Sequence, residues 1–197
     1  MKVKNILVVG GAGYIGSVVI KYLLDKGYHV TCLDNFIYDN SNSIVHFLND
    51  EKFEFVYGDI RSNNTLSINF RKISDVVILA GLVGDPITKK YPKLSTDINL
   101  FGIKNFIDSL NEKNIDKVIF VSTCSNYGVV PNDGLANEET TLNPLSSYAK
   151  AKVEIENYIM AKKGLFNFTP TILRFATAFG LAPRMRFDLT VNEFTRE

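Results

Sequence analysis

The sequence predicts an α/β chain built on one doubly wound parallel sheet with helices on both faces. Three observations carry that prediction. Six apolar runs of strand length recur along the 197 residues, segments with helical spacing lie between them, and a glycine-rich turn directly follows the first run. Strands that alternate with helices call for crossover connections, and runs that are apolar throughout must be covered on both sides, so the sheet is parallel and two-faced.

The first strand is read at Ile6 to Val9, and it enters Gly10-Gly11-Ala12-Gly13-Tyr14-Ile15-Gly16. The helix that follows has Ile15, Val18, Val19, Tyr22 and Leu23 as its apolar set and stops before Gly27. Further strands are read at Val30 to Leu33, Phe53 to Tyr57, Val76 to Ala80, Val118 to Val121 and Thr169 to Leu173. Ile98, Phe101, Phe106, Ile107 and Leu110 mark a helix before the fifth strand. After Arg174 the pattern loosens, and a last amphipathic segment, Phe187 to Glu197, carries Leu189, Val191 and Phe194. No repeat, low-complexity tract or Gly/Ser linker interrupts the chain. One domain is expected over residues 1–175, with 176–197 beginning a further region.

Composition narrows the function classes. At 46% hydrophobic and 22% charged residues the chain can close a sizeable core, which excludes a disulfide miniprotein and a long disordered tail. Lys and Arg number 22 against 21 Asp and Glu, so no basic field exists for nucleic acid or an anionic membrane, and neither partner is expected. Lys89-Lys90 with Lys93 reads as a solvated cluster. No apolar run reaches the ~18 residues of a membrane span. The opening Met1 to Val9 reads as a strand rather than a signal peptide, because glycines interrupt it early. Cys32 and Cys124, far apart in sequence, suggest a reducing compartment, and a cytoplasmic location is expected. No metal site is expected.

The glycine turn has a specific chemistry. Gly10 permits a tight turn, Gly13 lets backbone approach a pyrophosphate, and Gly16 lets the new helix pack closely on the sheet, while the helix N-terminus offers free N–H groups to phosphate charge. Asp34 stands eighteen residues beyond Gly16, where a carboxylate can accept from ribose hydroxyls, with Asn35 beside it. It would repel a 2′-phosphate, and no Arg or Lys follows it until Lys52, so NAD is favoured over NADP. Asp59-Ile60-Arg61 ends the third strand on the same sheet edge. Asp59 either meets the adenine amino group or forms a loop ion pair with Arg61.

Tyr148 and Lys152 lie four residues apart at a helix start and so share one face. Lowering a tyrosine pKa by ~3 units takes about 4 kcal/mol of preferential phenolate stabilisation, which Lys152 and a cationic nicotinamide could supply. Thr123 leaves the fifth strand at the same edge, where its hydroxyl can bond a substrate oxygen.

The glycine turn, Asp59-Ile60-Arg61, Ser122-Thr123-Cys124-Ser125-Asn126-Tyr127-Gly128 and Tyr148-Ala149-Lys150-Ala151-Lys152 together resemble the extended short-chain dehydrogenase/reductase superfamily, a Rossmann fold. Within it the chain is most similar to the NAD-dependent nucleotide-sugar epimerase/dehydratase family. The resemblance implies Tyr148 as catalytic base, Lys152 as its partner and a ligand of the nicotinamide ribose, and Thr123 as the hydroxyl that orders substrate. It also implies cofactor contacts from Gly10, Gly13, Tyr14, Ile15, Gly16, Asp34, Asn35, Asp59 and Ile60, from Ala80-Gly81-Leu82, from Asn99 as a buried helix asparagine, and from Phe175. Cys124, Ser125 and Arg184 are implied at the nucleotide-sugar site. Asn192 either contacts the substrate diphosphate or is a helix-surface residue.

Relatives often carry a histidine before the alanine segment, where Ile78-Leu79 stands here. Dehydratases of the family carry an Asp-Glu pair after the threonine, where this sequence has Cys124-Ser125, which favours epimerisation over dehydration. A reductase or dehydrogenase, and a non-catalytic NAD-binding module, remain the other readings. Family members continue into a substrate lobe, so this chain is expected to be a truncated member. A homodimer through the helices around Phe101 to Leu110 and Val153 to Ile159 is implied by the resemblance; the same periodicity fits packing within the chain.

Overall fold

The computed structural model describes residues 4–62, 68–129 and 135–196, so Met1-Lys2-Val3 of the first-strand reading and Glu197 lie outside the described residues. Six strands form one sheet: β1 (Asn5–Val9), β2 (His29–Asp34), β3 (Phe53–Tyr57), β4 (Asp75–Ile78), β5 (Lys117–Thr123) and β6 (Thr169–Phe175). Their order is β3-β2-β1-β4-β5-β6 and every neighbouring pair is parallel. The chain winds outward from β1 to β3, returns to β4 and winds outward the other way. That reversal leaves a crevice above the carboxyl ends of β1 and β4, where open α/β sheets hold ligands.

Alternation along each strand builds two cores. Leu7 and Val9 of β1, Val76 and Ile78 of β4 and Phe120 of β5 face α4 (Ile103–Leu110) and α5 (Ser147–Lys162), and meet Ile103, Phe106, Ile107, Leu110, Ile155 and Ile159. Ile6 and Val8 face α1 (Tyr14–Asp25), meeting Ile20 and Leu24 together with Ile44 and Phe47. Among the described residues no helix is long and apolar enough to cross a membrane.

Several elements depart from the periodicity. In α1 the buried positions are Tyr14, Gly16, Ser17, Ile20 and Leu24, while Val18 and Tyr22 of the expected apolar set are exposed. The helix is rotated because Gly16 must lie against the turn: a Cβ there would stand 2.5 Å from the Gly10 carbonyl oxygen. Strand β4 stops at Ile78, two residues short of the expected Ala80. Leu79 N still donates to Val9 O at 2.9 Å, but Ala80 then passes so close to Gly10 that a Cβ on Gly10 would lie 2.7 Å from it, and the two turns diverge from the ladder.

Before α4 the chain passes through α2 (Asp85–Lys90), α3 (Pro92–Thr96) and a π-helical segment, Asp97–Gly102, which buries Ile98, Asn99 and Gly102 and turns Phe101 outward. The extra residue per turn explains why Phe101 leaves the apolar face that its spacing predicted. The last helix, α6, is only Thr190–Phe194; its Val191 and Phe194 are exposed and its buried residue is Asn192.

Coverage is uneven at β6. Registers run Val8↔Val77↔Ile119↔Thr171, which puts Thr171 on the same face as α1. That helix packs on β1 and β2, and at the far edge Thr171, Leu173 and Phe175 are exposed.

Candidate active site

A cavity of about 900 Å³ opens above the carboxyl ends of the strands. Its floor is the glycine turn. Gly10 has φ +79°, a conformation that disfavours any side chain, and Gly13 at the N-cap of α1 exposes backbone to the cavity. Tyr14, Ile15 and Gly16 complete this wall.

Asp34 ends β2, and its two carboxylate oxygens accept from Ala12 N at 3.0 Å and Phe36 N at 2.8 Å. Burial raises its pKa, and the Phe36 and Ala12 amides oppose the rise. The carboxylate therefore shapes the glycine turn and also lines the cavity beside Asn35. The loop beyond is tied to the same turn: Asn40 Nδ2 and Ser43 Oγ both donate to Ala12 O at 2.7 Å. Phe36 and Asp39 adopt φ +53°, uncommon for residues other than glycine, and between them Tyr38 lines the cavity, its hydroxyl accepting from Val83 N at 3.1 Å.

Asp59 also lines the cavity, but it is engaged. Arg61 donates to it from Nε at 2.9 Å and from Nη2 at 2.6 Å, and Asn35 Nδ2 donates at 2.9 Å. The ion pair with Arg61 named among the sequence alternatives is present, on a carboxylate that also lines the cavity. Arg61, the first cause, holds the Asp59 carboxyl down to about 2.

Ala80, Gly81 and Leu82 form the opposite wall. Asn99 does not reach the cavity. Buried in the π-helical segment, it accepts from Leu82 N at 2.8 Å and donates to Leu82 O at 2.9 Å, so it fixes the wall from behind.

At the far end β5 and α5 converge. Thr123 caps a short 3₁₀ turn, Cys124–Tyr127, its Oγ1 accepting from Ser125 N at 3.2 Å, and Thr123, Cys124 and Ser125 all line the cavity. Ser146 caps α5 by accepting from Ala149 N at 3.1 Å, which starts the helix so that Tyr148 and Lys152 face the cavity one turn apart. Lys152 is 3% exposed; its Nζ donates to Val121 O at 2.8 Å and lies 5.7 Å from the Tyr148 ring centre. Burial depresses Lys152 to about 8, opposed by Glu156, and burial pushes Tyr148 up to about 12, opposed by Arg186. Without a bound partner Tyr148 is thus a neutral phenol at pH 7.

The segment after β6 folds back over the site. Phe175, Ala176 and Thr177 line the cavity, as do Arg184 and Arg186. Arg184 lies over the Tyr38 ring at 4.2 Å and acts on Asp34, in the same cavity as Cys124 and Ser125. Asn192 corrects both sequence readings. It is 3% exposed and outside the cavity wall, with Nδ2 donating to Tyr14 Oη at 3.0 Å and to Arg186 O at 2.9 Å, and Oδ1 accepting from Gly180 N at 2.9 Å. Tyr14 Oη donates in turn to Gly180 O at 2.7 Å.

Tyr38 and Arg186 were missed by sequence reasoning. Tyr38 follows the Asp34 turn in a loop without periodicity, and Arg186 belongs to an irregular segment, so neither carried a local signal.

The residues fit a dinucleotide. A Cβ at Gly10 would clash with Ala80 and one at Gly16 with the turn itself, so the bare backbone is obligatory, and among the described residues buried Asn40 Oδ1, on a cavity residue, has no hydrogen-bond partner. Among the described residues no group of His, Cys, Asp or Glu is placed to hold a metal ion.

The sequence pattern of the NAD-dependent epimerase/dehydratase family matches residues 6–195. The chain belongs to that family. A putative UDP-glucose 4-epimerase of Methanocaldococcus jannaschii is 34% identical over 176 residues, covering 89% of this chain and 56% of the relative. Among solved members, a Bacillus cereus UDP-glucuronic acid 4-epimerase in complex with UDP-glucuronic acid and NAD superposes with a TM-score of 0.84 at 28% identity, covering 98% of this chain and 63% of that one. A Streptomyces venezuelae dTDP-glucose 4,6-dehydratase with NAD bound reaches 0.87 at 25% identity, over 98% of this chain and 61% of that one. The chain spans about half the length of the curated relatives it matches. The family's cofactor is NAD.

Proposed function

We propose that this chain carries the cofactor-binding and catalytic half of a nucleotide-sugar 4-epimerase, with residues 176–196 beginning the substrate-binding region. The observation that carries the reading is the convergence of Thr123, Tyr148 and Lys152 on the same cavity as the glycine turn and Asp34. In this reading Gly13 and the start of α1 hold the pyrophosphate, Asp34 accepts from the adenosine ribose, and Lys152 holds the nicotinamide ribose. NAD, when bound, would supply the acceptor and later the donor of the hydride that leaves the sugar carbon. Thr123 orients the reacting hydroxyl, Tyr148 takes its proton as the sugar becomes a ketone, and the same residue returns the proton after the ketone has turned over in the site.

The position of Tyr148 at about 12 gives the bound cofactor's positive charge a role, since a cation added beside the phenol lowers its pKa towards neutral. Cys124 and Ser125, in place of an acid pair after Thr123, favour epimerisation over dehydration.

The test is to incubate the chain with NAD and UDP-glucose or UDP-galactose and to measure interconversion beside NAD affinity. Tyr148→Phe is expected to lower turnover by about 10²-fold or more while NAD affinity stays within about twofold. Loss of NAD affinity in that variant would overturn the assignment of Tyr148. Tight NAD binding without turnover by the unaltered chain would favour the non-catalytic reading.

A further inference from the structure

Behind the cavity lies a buried carboxylate that no step above uses. Glu156 is 3% exposed and extends the Tyr148–Lys152 line of α5 by one more turn. Its Oε1 accepts from Ser122 Oγ at 2.5 Å and from Asn126 Nδ2 at 2.6 Å, and its Oε2 accepts from Arg174 Nη2 at 2.7 Å and Nε at 3.0 Å. Arg174 also donates to Tyr127 Oη at 3.1 Å. Consecutive residues of β5 are therefore gripped by consecutive turns of α5: Val121 O by Lys152, and Ser122 Oγ by Glu156. Thr123 is the next residue out along the strand.

We propose that Glu156 is a positioning residue of this site: it locks α5 to the ends of β5 and β6, so that Thr123, Tyr148 and Lys152 keep one register, and it supplies a buried negative charge one turn of α5 from the Lys152 ammonium. The assignment rests on the reading of Tyr148 and Lys152 given above. Chemistry agrees with the geometry. Lys152 is packed against the Phe120 ring, 4.5 Å from its centre, and beside neutral Tyr148, and Glu156 is the charge that acts on it. Cys124 and Arg186 act on Tyr148, and Arg174 of β6 meets the Glu156 carboxylate from the other side. Burial alone drives an ammonium towards its neutral form, and Glu156 opposes that drive. A single carboxylate between two cations also explains why Arg174, at the end of β6, stays out of the cavity.

The test uses the full chain, free of NAD, with ¹³C-labelled lysine, and follows the Lys152 signal from neutral to alkaline pH by NMR, assigned by its loss in Lys152→Arg. The midpoint is expected at about 8 in the unaltered protein. In Glu156→Gln it should fall by about one pH unit or more, because the burial penalty is then unopposed. The double variant Glu156→Gln/Arg174→Gln also removes the guanidinium that the single variant leaves without its carboxylate, and it should show the same fall, since Arg174 acts on Glu156 rather than on Lys152. It carries the test if the single variant does not fold. A glutamate that only braces the fold would lower stability and leave the midpoint where it was, and that result, or a rise, overturns the proposal. Because the measurement needs neither NAD nor turnover, failure of the epimerase reading would leave its outcome intact.

Discussion

Asp59 shows how one side chain can carry a pH dependence. Its pKa is held at about 2, first by Arg61, below the ordinary 3.8. A carboxyl with a depressed folded pKa contributes stability that is present above the unfolded value and lost as pH falls through the folded one. The window here runs from about 4 down to about 2. Arg61→Met should therefore destabilise the protein in urea unfolding at pH 7 and have a much smaller effect near pH 2; equal effects at both would place the role of Arg61 in packing. Residue chemistry of this kind was half legible in the sequence. The Asp59-Arg61 spacing suggested the pair, and the glycines announced their turn, because only their own backbone and close neighbours set those outcomes. Asn192 was not legible at all, since each of its partners comes from a distant or irregular part of the chain.

At the scale of elements, strands were easier to read than helix faces. All six strands stand where apolar runs were found; for β1 and β4, buried on both faces, little beyond that run is needed. The faces of α1 and α6 were misread for different reasons: Gly16 must lie against the turn on α1, and the polar fastening of Asn192 to Tyr14 decides the buried face of α6. Apolar periodicity gives no sign of it. Asn192→Ala removes three hydrogen bonds at a buried site and leaves Gly180 N and Tyr14 Oη short of partners. A loss of about 2–3 kcal/mol is expected, with a melting temperature lower by roughly 5–10 °C. Calorimetry of the variant checks it, and an unchanged melting temperature would mean that the segment after β6 is not held in this way.

For the molecule as a whole, the sheet is well covered from β3 to β5 and thinly covered at β6. Among the described residues, Leu173 is exposed on a strand paired along one edge, an arrangement that favours association with other chains. The helices named for a family-type dimer offer less: Ile103, Phe106, Ile107, Ile155 and Ile159 are buried within the chain, and Lys104 pairs with Glu154 across the α4–α5 surface. Self-association of this chain should accordingly be weakened by Leu173→Thr more than by Phe101→Ser, as read by sedimentation velocity over a range of concentrations. The reverse order would move the contact to the α4–α5 face.

The bond from Asn192 to Tyr14 spans a sequence separation of 178 residues. During synthesis the glycine turn leaves the ribosome well before the side chain that fastens Tyr14. Closing so long a loop is entropically slow and comes late in folding. The glycine turn therefore acquires this support only after Asn192 has emerged, and a nascent chain stopped before α6 would present that turn without its brace.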